Sequence, residues 1–138
     1  MPEVSTVILI AHERKLPELL KLMRKRRAVF ETYRLLATTE TGEAIERELE
    51  LECTHLFSGR QGGEIQLCGL VCTNVIRAVY FLRDPLSAAA DEPDIAPFYR
   101  ACDLHNVPLA TNIVTAVALT HWLGRKLAAP AEATAGGR

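Results

Sequence analysis

The residues best suited to chemistry fall in five short polar clusters: His12-Glu13, Thr38 to Gly42, Ser58 to Gln66, Arg83-Asp84 and Thr111-Asn112. The richest is Ser58-Gly59-Arg60-Gln61-Gly62-Gly63-Glu64. Its glycines give a backbone path open to a ligand, and amides at the start of a following helix can hold an anion. Glu64 falls near that helix start. A carboxylate there can act as a general base beside a substrate C–H, or simply complement the positive end of the helix dipole. Spacing alone leaves both open.

Thr38-Thr39-Glu40-Thr41-Gly42 offers hydroxyls and amides at a second helix start. Thr38, Thr39 and Thr41 suit a phosphate, and capping by Thr39 or Thr41 is the plainer alternative. Glu40 opposes a phosphate unless a cation or a proton offsets it. Lys15 can supply that charge or be an ordinary surface lysine. Asp84, Asp91, Glu92 and Asp94 crowd into one stretch, where carboxylates can share a proton, bind magnesium or stay solvated. Of the histidines, only His12 holds a site position; His55, His105 and His121 read as structural. Cys68 and Cys72 have a spacing that places both thiols on one helical face, as metal ligands can be. Their neighbours are apolar and no second pair completes a site. The four cysteines, Cys53, Cys68, Cys72 and Cys102, therefore read as buried, reduced and structural and not as metal ligands.

The elements that must position these clusters alternate. Val7 to Ala11 is a continuous apolar run, the pattern of a strand covered on both faces. Pro17 to Val29 has helical spacing, with a basic outer face and end (Lys21, Arg24, Lys25, Arg26, Arg27) that reads as a solvated helix end. Tyr33 to Ala37 reads as a strand, Thr41 to Glu50 as a helix, and Leu51 to Phe57 contains a third strand. Gly63 opens a helix to about Cys72, Ala78 to Leu82 is a fourth strand, and a helix runs from Asp94 to about His105. Val107 to Ala110 is a fifth strand, and Asn112 caps a last helix to about Leu123. This order predicts an α/β, three-layer, doubly wound fold with a five-stranded parallel sheet. Ligands in such folds bind outside the carboxyl ends of the strands. Each polar cluster follows a strand.

The 138 residues suffice for one domain, over residues 1–127, with an Ala/Gly-rich mobile tail at 128–138. Hydrophobic residues make up 49% and charged residues 24%, the composition of a globular chain. Sixteen Lys and Arg against seventeen Asp and Glu leave a charge of -1, which does not indicate a nucleic-acid surface. No apolar run is long enough to span a bilayer, and Val7 to Ala11 reads as a strand and not as a signal peptide. The expectation is a cytoplasmic protein binding neither membrane nor nucleic acid.

Taken together the segments resemble methylglyoxal synthase, in register over most of the chain. That family's A-H-D appears as Ala11-His12-Glu13, and its A-T-G-T-T-G as Ala37-Thr38-Thr39-Glu40-Thr41-Gly42. Its S-G-P-x-G-G-D-Q-Q loop appears as Ser58 to Gln66, its R/W-D-P-L as Arg83-Asp84-Pro85-Leu86, and its V-P-L-A-T-N as Val107 to Asn112. The resemblance implies a lyase acting on dihydroxyacetone phosphate without metal or organic cofactor. A carboxylate removes a proton from the hydroxyl-bearing carbon, phosphate leaves the enediolate, and the enol becomes methylglyoxal. The family's base falls on Glu64 and a second aspartate on Glu13. A polarising histidine falls on Asp91, and a further aspartate is retained as Asp94. Phosphate binders fall on Glu40, Thr41, Ser58 and Gly59; the phosphate lysine falls on Leu16, beside Lys15. Arg60, in place of a proline, adds a cation that can offset Glu40. The ligand expected is a small phosphorylated or polyhydroxylated metabolite, and the family's habit of forming closed rings implies a homo-oligomer, commonly a hexamer. A second reading is a non-catalytic ligand-binding module, since the fold also resembles the allosteric domain of carbamoyl-phosphate synthetase.

Overall fold

The computed structural model describes residues 5–56, 63–87 and 95–128. Strand β1 (Thr6–Ala11) leads through a 3-10 turn at Glu13–Lys15 into helices α1 (Leu16–Lys25) and α2 (Arg27–Phe30). Then follow β2 (Arg34–Thr38), α3 (Thr39–Leu49), β3 (Thr54–Leu56), α4 (Gly63–Val71), β4 (Ile76–Leu82), α5 (Ala96–Leu104), β5 (Leu109–Ala110) and α6 (Ile113–Ala128). The sheet order is β3-β2-β1-β4-β5, with every pairing parallel. The fold is therefore the α/β doubly wound one expected, and β1 lies at its centre.

The period-two geometry of a strand sends alternate side chains of β1 to opposite faces. Val7 and Leu9 join Leu19, Met23, Ile45, Ala116 and Leu123 in a core under α1, α2, α3 and α6. Ile8 and Ile10 join Leu67, Val71, Phe98 and Cys102 under α4 and α5. Burial on both sides is why β1 is apolar without alternation.

The Pro17–Val29 helix expected from the spacing is two helices. The chain breaks at Arg26 (φ -118°, ψ 37°), which turns Val29 and Phe30 into the core. Past the break, Arg27 pairs with Glu31 at 3.4 Å and donates to the Leu49 carbonyl. No proline or glycine marks that corner. Helix α3 starts at Thr39, two residues before the expected start. Its N-cap is Thr38, in an extended conformation and without a side-chain cap bond, so neither Thr39 nor Thr41 caps it. Asn112 does cap α6: its Oδ1 accepts from the Thr115 N–H at 3.0 Å. That helix runs on to Ala128, past the expected end near Leu123. It is moored by a buried relay in which the Tyr80 hydroxyl meets Thr120 Oγ1 at 2.6 Å and Thr120 donates to the Ala116 carbonyl at 2.8 Å. Burial holds the Tyr80 phenol well above its ordinary pKa.

Cys53 and Cys102 are buried, and burial pushes both thiols up to about 12, as structural cysteines require. Cys68 is only half-buried and Cys72 is exposed, so the expectation of burial does not extend to that pair.

Candidate functional site

In the order 3-2-1-4-5 the connections run outward from β1 in both directions. The switch point therefore lies between β1 and β4, and the crevice opens where those strands end. The first residues past the two ends are His12 and Arg83-Asp84. His12 continues the ladder, its N–H donating to the Leu82 carbonyl at 3.0 Å. Its side chain is held by a main-chain group: the Asp84 N–H donates to His12 Nδ1 at 2.9 Å. A ring nitrogen that accepts carries no proton, so His12 is a neutral imidazole with its hydrogen on Nε2. The ring also stands edge-on to Phe81, centroids 5.9 Å apart. Its carbonyl accepts from the N–H groups of Lys15 and Leu16, which closes the 3-10 turn after β1.

Asp84 is buried to 8% exposure, and its carboxylate holds its own loop. Oδ1 accepts from the Leu86 N–H at 3.0 Å, and Oδ2 lies 3.9 Å from Arg14 Nε. Arg83 donates its backbone N–H to Thr111, tying the end of β4 to that of β5, and its guanidinium reaches the Tyr99 hydroxyl at 3.4 Å. Sequence reasoning placed Asp84 among acidic neighbours and did not foresee its peptide N–H as the partner of His12. The available signal was its position immediately after a strand. Tyr99, on α5, gave none.

Thr38 at the end of β2, and Thr39 and Thr41 after it, tie neighbouring strand ends together. Thr41 Oγ1 accepts from the Ala11 N–H at 3.2 Å and lies 3.3 Å from Thr38 Oγ1, while Thr39 donates to the Leu56 carbonyl at 2.9 Å. These bonds fix the ends of β1, β2 and β3 relative to one another. What α3 offers a ligand is its first-turn amides, which have no side-chain cap. Glu40 sits exposed in that turn. Gly42 is needed by close approach: a Cβ there would lie 2.7 Å from the His55 ring, which itself bonds Glu46 at 2.8 Å.

Glu13 is exposed in the 3-10 turn beside His12. Lys15 Nζ is 3.9 Å from Glu18 Oε1, a pair along the start of α1. Glu64 is the second residue of α4. Ser58, Gly59, Arg60, Asp91 and Asp94 lie outside the described residues. Among the described residues no group of three or more His, Cys, Asp or Glu could hold a metal ion. A cavity of about 750 Å³ opens at the other end of the sheet, between Arg27, Tyr33, Arg34, Glu50, Glu52 and Thr54, and shares no residue with the strand-end cluster.

No family model matches the chain. Individual proteins do. It is 40% identical over 124 residues to methylglyoxal synthase of Cupriavidus pinatubonensis, covering 90% of this chain and 95% of that one. The chain belongs to the methylglyoxal synthase family. A methylglyoxal synthase of Thermus thermophilus is 39% identical over 120 residues, covering 87% and 95% of the two chains. The crystal structure of methylglyoxal synthase from Elizabethkingia anophelis superposes with a TM-score of 0.78 at 32% identity, over 87% of this chain and 79% of that one. In this chain Ala11-His12 at the end of β1 and Arg83-Asp84 at the end of β4 meet at the switch point through the Asp84–His12 bond. No helix of the described residues is long and apolar enough to cross a membrane.

Proposed function

We propose that the protein is a carbon–oxygen lyase that eliminates phosphate from dihydroxyacetone phosphate to give methylglyoxal. The observation that carries this reading is the neutral His12 held at the switch point by the Asp84 N–H. Removing a proton beside a carbonyl builds negative charge on oxygen, and a fixed imidazole N–H is a donor suited to that charge. Glu64 takes the proton from the hydroxyl-bearing carbon, giving an enediolate. The C–O bond to phosphate then breaks as the electrons of the enediolate move in, and the enol that remains becomes methylglyoxal. No atom is added, so no co-reactant is needed.

Phosphate is held by the first-turn amides of α3 with Ser58, Gly59 and Arg60, the last offsetting Glu40. The family resemblance assigns further roles to Glu13, Asp91 and Asp94, Lys15 supplies positive charge, and Thr38, Thr39 and Thr41 set the frame. The lyase works in the cytoplasm, as a homo-oligomer, on a small phosphorylated or polyhydroxylated carbonyl compound.

The test is release of methylglyoxal and phosphate from dihydroxyacetone phosphate, beside Glu64→Gln. Turnover that this substitution abolishes supports the lyase. A folded wild-type chain with no turnover above Glu64→Gln refutes it and leaves the ligand-binding module, whose ligand would be sought by thermal stabilisation.

A further inference from the structure

The cavity of about 750 Å³ at the amino ends of the strands has the size of a small-molecule site. Leu35 and Leu51, both buried, give it apolar walls, and its rim is charged. Arg27 and Glu31 on that rim are engaged with each other at 3.4 Å. Its other three charges, Arg34, Glu50 and Glu52, are exposed and form no ion pair among the described residues. Glu50 stands there against two local preferences. Its φ of 56° is the left-handed conformation that closes helices and favours glycine. Its carboxylate also lies at the C-terminal, negative end of the α3 dipole. Leu51 turns inward between two exposed neighbours, so Glu50 and Glu52 share the outer side. Two carboxylates so placed favour a cation between them, and the adjacent Arg47 is taken by Glu48 at 3.5 Å. Arg34 opens β2 and Glu52 just precedes β3, the strand paired with it, so one small molecule can span both.

We propose that this cavity binds a basic amino acid, its carboxylate on Arg34 and its two cationic groups on Glu50 and Glu52. Charge selects that class. A simple anion would be repelled by the two carboxylates, and a diamine would leave the Arg34 guanidinium unmatched. A guanidinium takes a carboxylate through two parallel N–H···O bonds. A zwitterion with one further cation therefore satisfies all three groups. Its methylene chain lies along Leu35 and Leu51, as the stems of long charged side chains do on apolar surface. The site uses none of the groups proposed for the elimination reaction.

The probes are L-lysine, cadaverine, which is lysine without its carboxylate, and L-norleucine, which is lysine without its side-chain ammonium. Each is titrated calorimetrically into the full chain at low ionic strength, where charge pairs are least screened. Lysine is expected to fill one site per chain with a dissociation constant of about 1 mM or below. Each analogue, lacking one charged contact, is expected to bind at least about tenfold more weakly. Arg34→Gln and Glu52→Gln are each expected to weaken lysine about tenfold, at unchanged far-UV circular dichroism. Glu50→Gly removes a carboxylate and relieves the left-handed backbone, so weaker binding at a higher melting temperature cannot be loss of fold. Absence of saturable binding up to about 20 mM lysine overturns the proposal. So does binding that cadaverine or norleucine equals, that the three rim substitutions leave unchanged, or that His12→Asn abolishes. None of these outcomes depends on turnover.

Discussion

The neutral state of His12 yields a prediction that separates its two roles, because its ring nitrogens do different work. Nδ1 accepts from the Asp84 N–H at 2.9 Å, and Nε2 carries the hydrogen that the proposed reaction offers to the substrate oxygen. His12→Asn keeps an acceptor close to the Nδ1 position and removes the Nε2 donor. Loss of one pre-placed donor to an oxyanion costs about 2.7–4 kcal/mol, or about 10²–10³ in kcat. Stability is expected to hold within about 0.5 kcal/mol, since the buried amide keeps a partner. His12→Phe keeps the shape and removes both nitrogens. The orphaned Asp84 N–H then costs about 1–3 kcal/mol of stability on top of the same catalytic loss, and the melting temperature falls by several degrees.

Steady-state release of methylglyoxal gives kcat and KM, and urea unfolding at fixed protein concentration gives the stabilities. If His12→Asn keeps kcat within about tenfold of wild type, the ring is not the donor. If Asn and Phe are equally unstable, the Asp84 bond is not what positions it. The second result stands whatever the turnover.

Further predictions concern the frame and the electrostatics. Thr120→Val strands the buried Tyr80 hydroxyl and costs about 1–3 kcal/mol, whereas Tyr80→Phe/Thr120→Val costs less than the sum of its singles; additive losses in urea unfolding would count against the relay. Glu50 ends α3 in the left-handed region at φ 56°, so Glu50→Gly is expected to raise stability by about 1 kcal/mol, read as a higher melting temperature. The Glu46 carboxylate is held below its ordinary pKa by hydrogen bonds from the Cys53 N–H and from His55. Its contribution is present above the unfolded value near 4.5 and is lost as pH falls through the lower folded value, so Glu46→Gln flattens the melting temperature against pH in that acid range. Glu40→Thr removes a carboxylate from the turn of α3 proposed to hold phosphate and is expected to lower KM for dihydroxyacetone phosphate about tenfold; an unchanged KM places the phosphate elsewhere.

The sheet was legible because its central strands are buried on both faces. Uninterrupted apolar runs such as Val7 to Ala11 and Ala78 to Leu82 are too short to make a buried helix and rich enough in branched and aromatic side chains to make a strand. Polar clusters following each strand marked the candidate site. The corner at Arg26 was not legible, since neither proline nor glycine makes it; Val29 and Phe30 turn there to reach the core. The threonines after β2 were readable as polar, but whether a hydroxyl faces a ligand or a neighbouring strand depends on tertiary placement. Three strand ends converge there, and main-chain groups of Ala11 and Leu56 take up Thr41 and Thr39. The partner of His12 was hidden for a related reason: a peptide N–H leaves no mark in the residue type that carries it.

That invisibility bears on how the site tolerates change. This chain has glutamate at positions 13 and 64 and aspartate at 91, where the family resemblance leads one to expect aspartate, aspartate and histidine. Had His12 been oriented by such a carboxylate, each change would have moved it, and a misplacement near 1 Å can cost about 100-fold. Its ring accepts from the Asp84 peptide N–H, and its own peptide is bound to Leu82. Both anchors belong to the ends of β1 and β4, which the core holds in place. Neither of these two main-chain anchors uses a substituted side chain. The rate losses from His12→Asn and from Glu64→Asp, which shortens the base, are accordingly expected to multiply. A double variant no slower than the worse single would instead mean that base and donor are placed by one another, contrary to the main-chain anchoring described for His12.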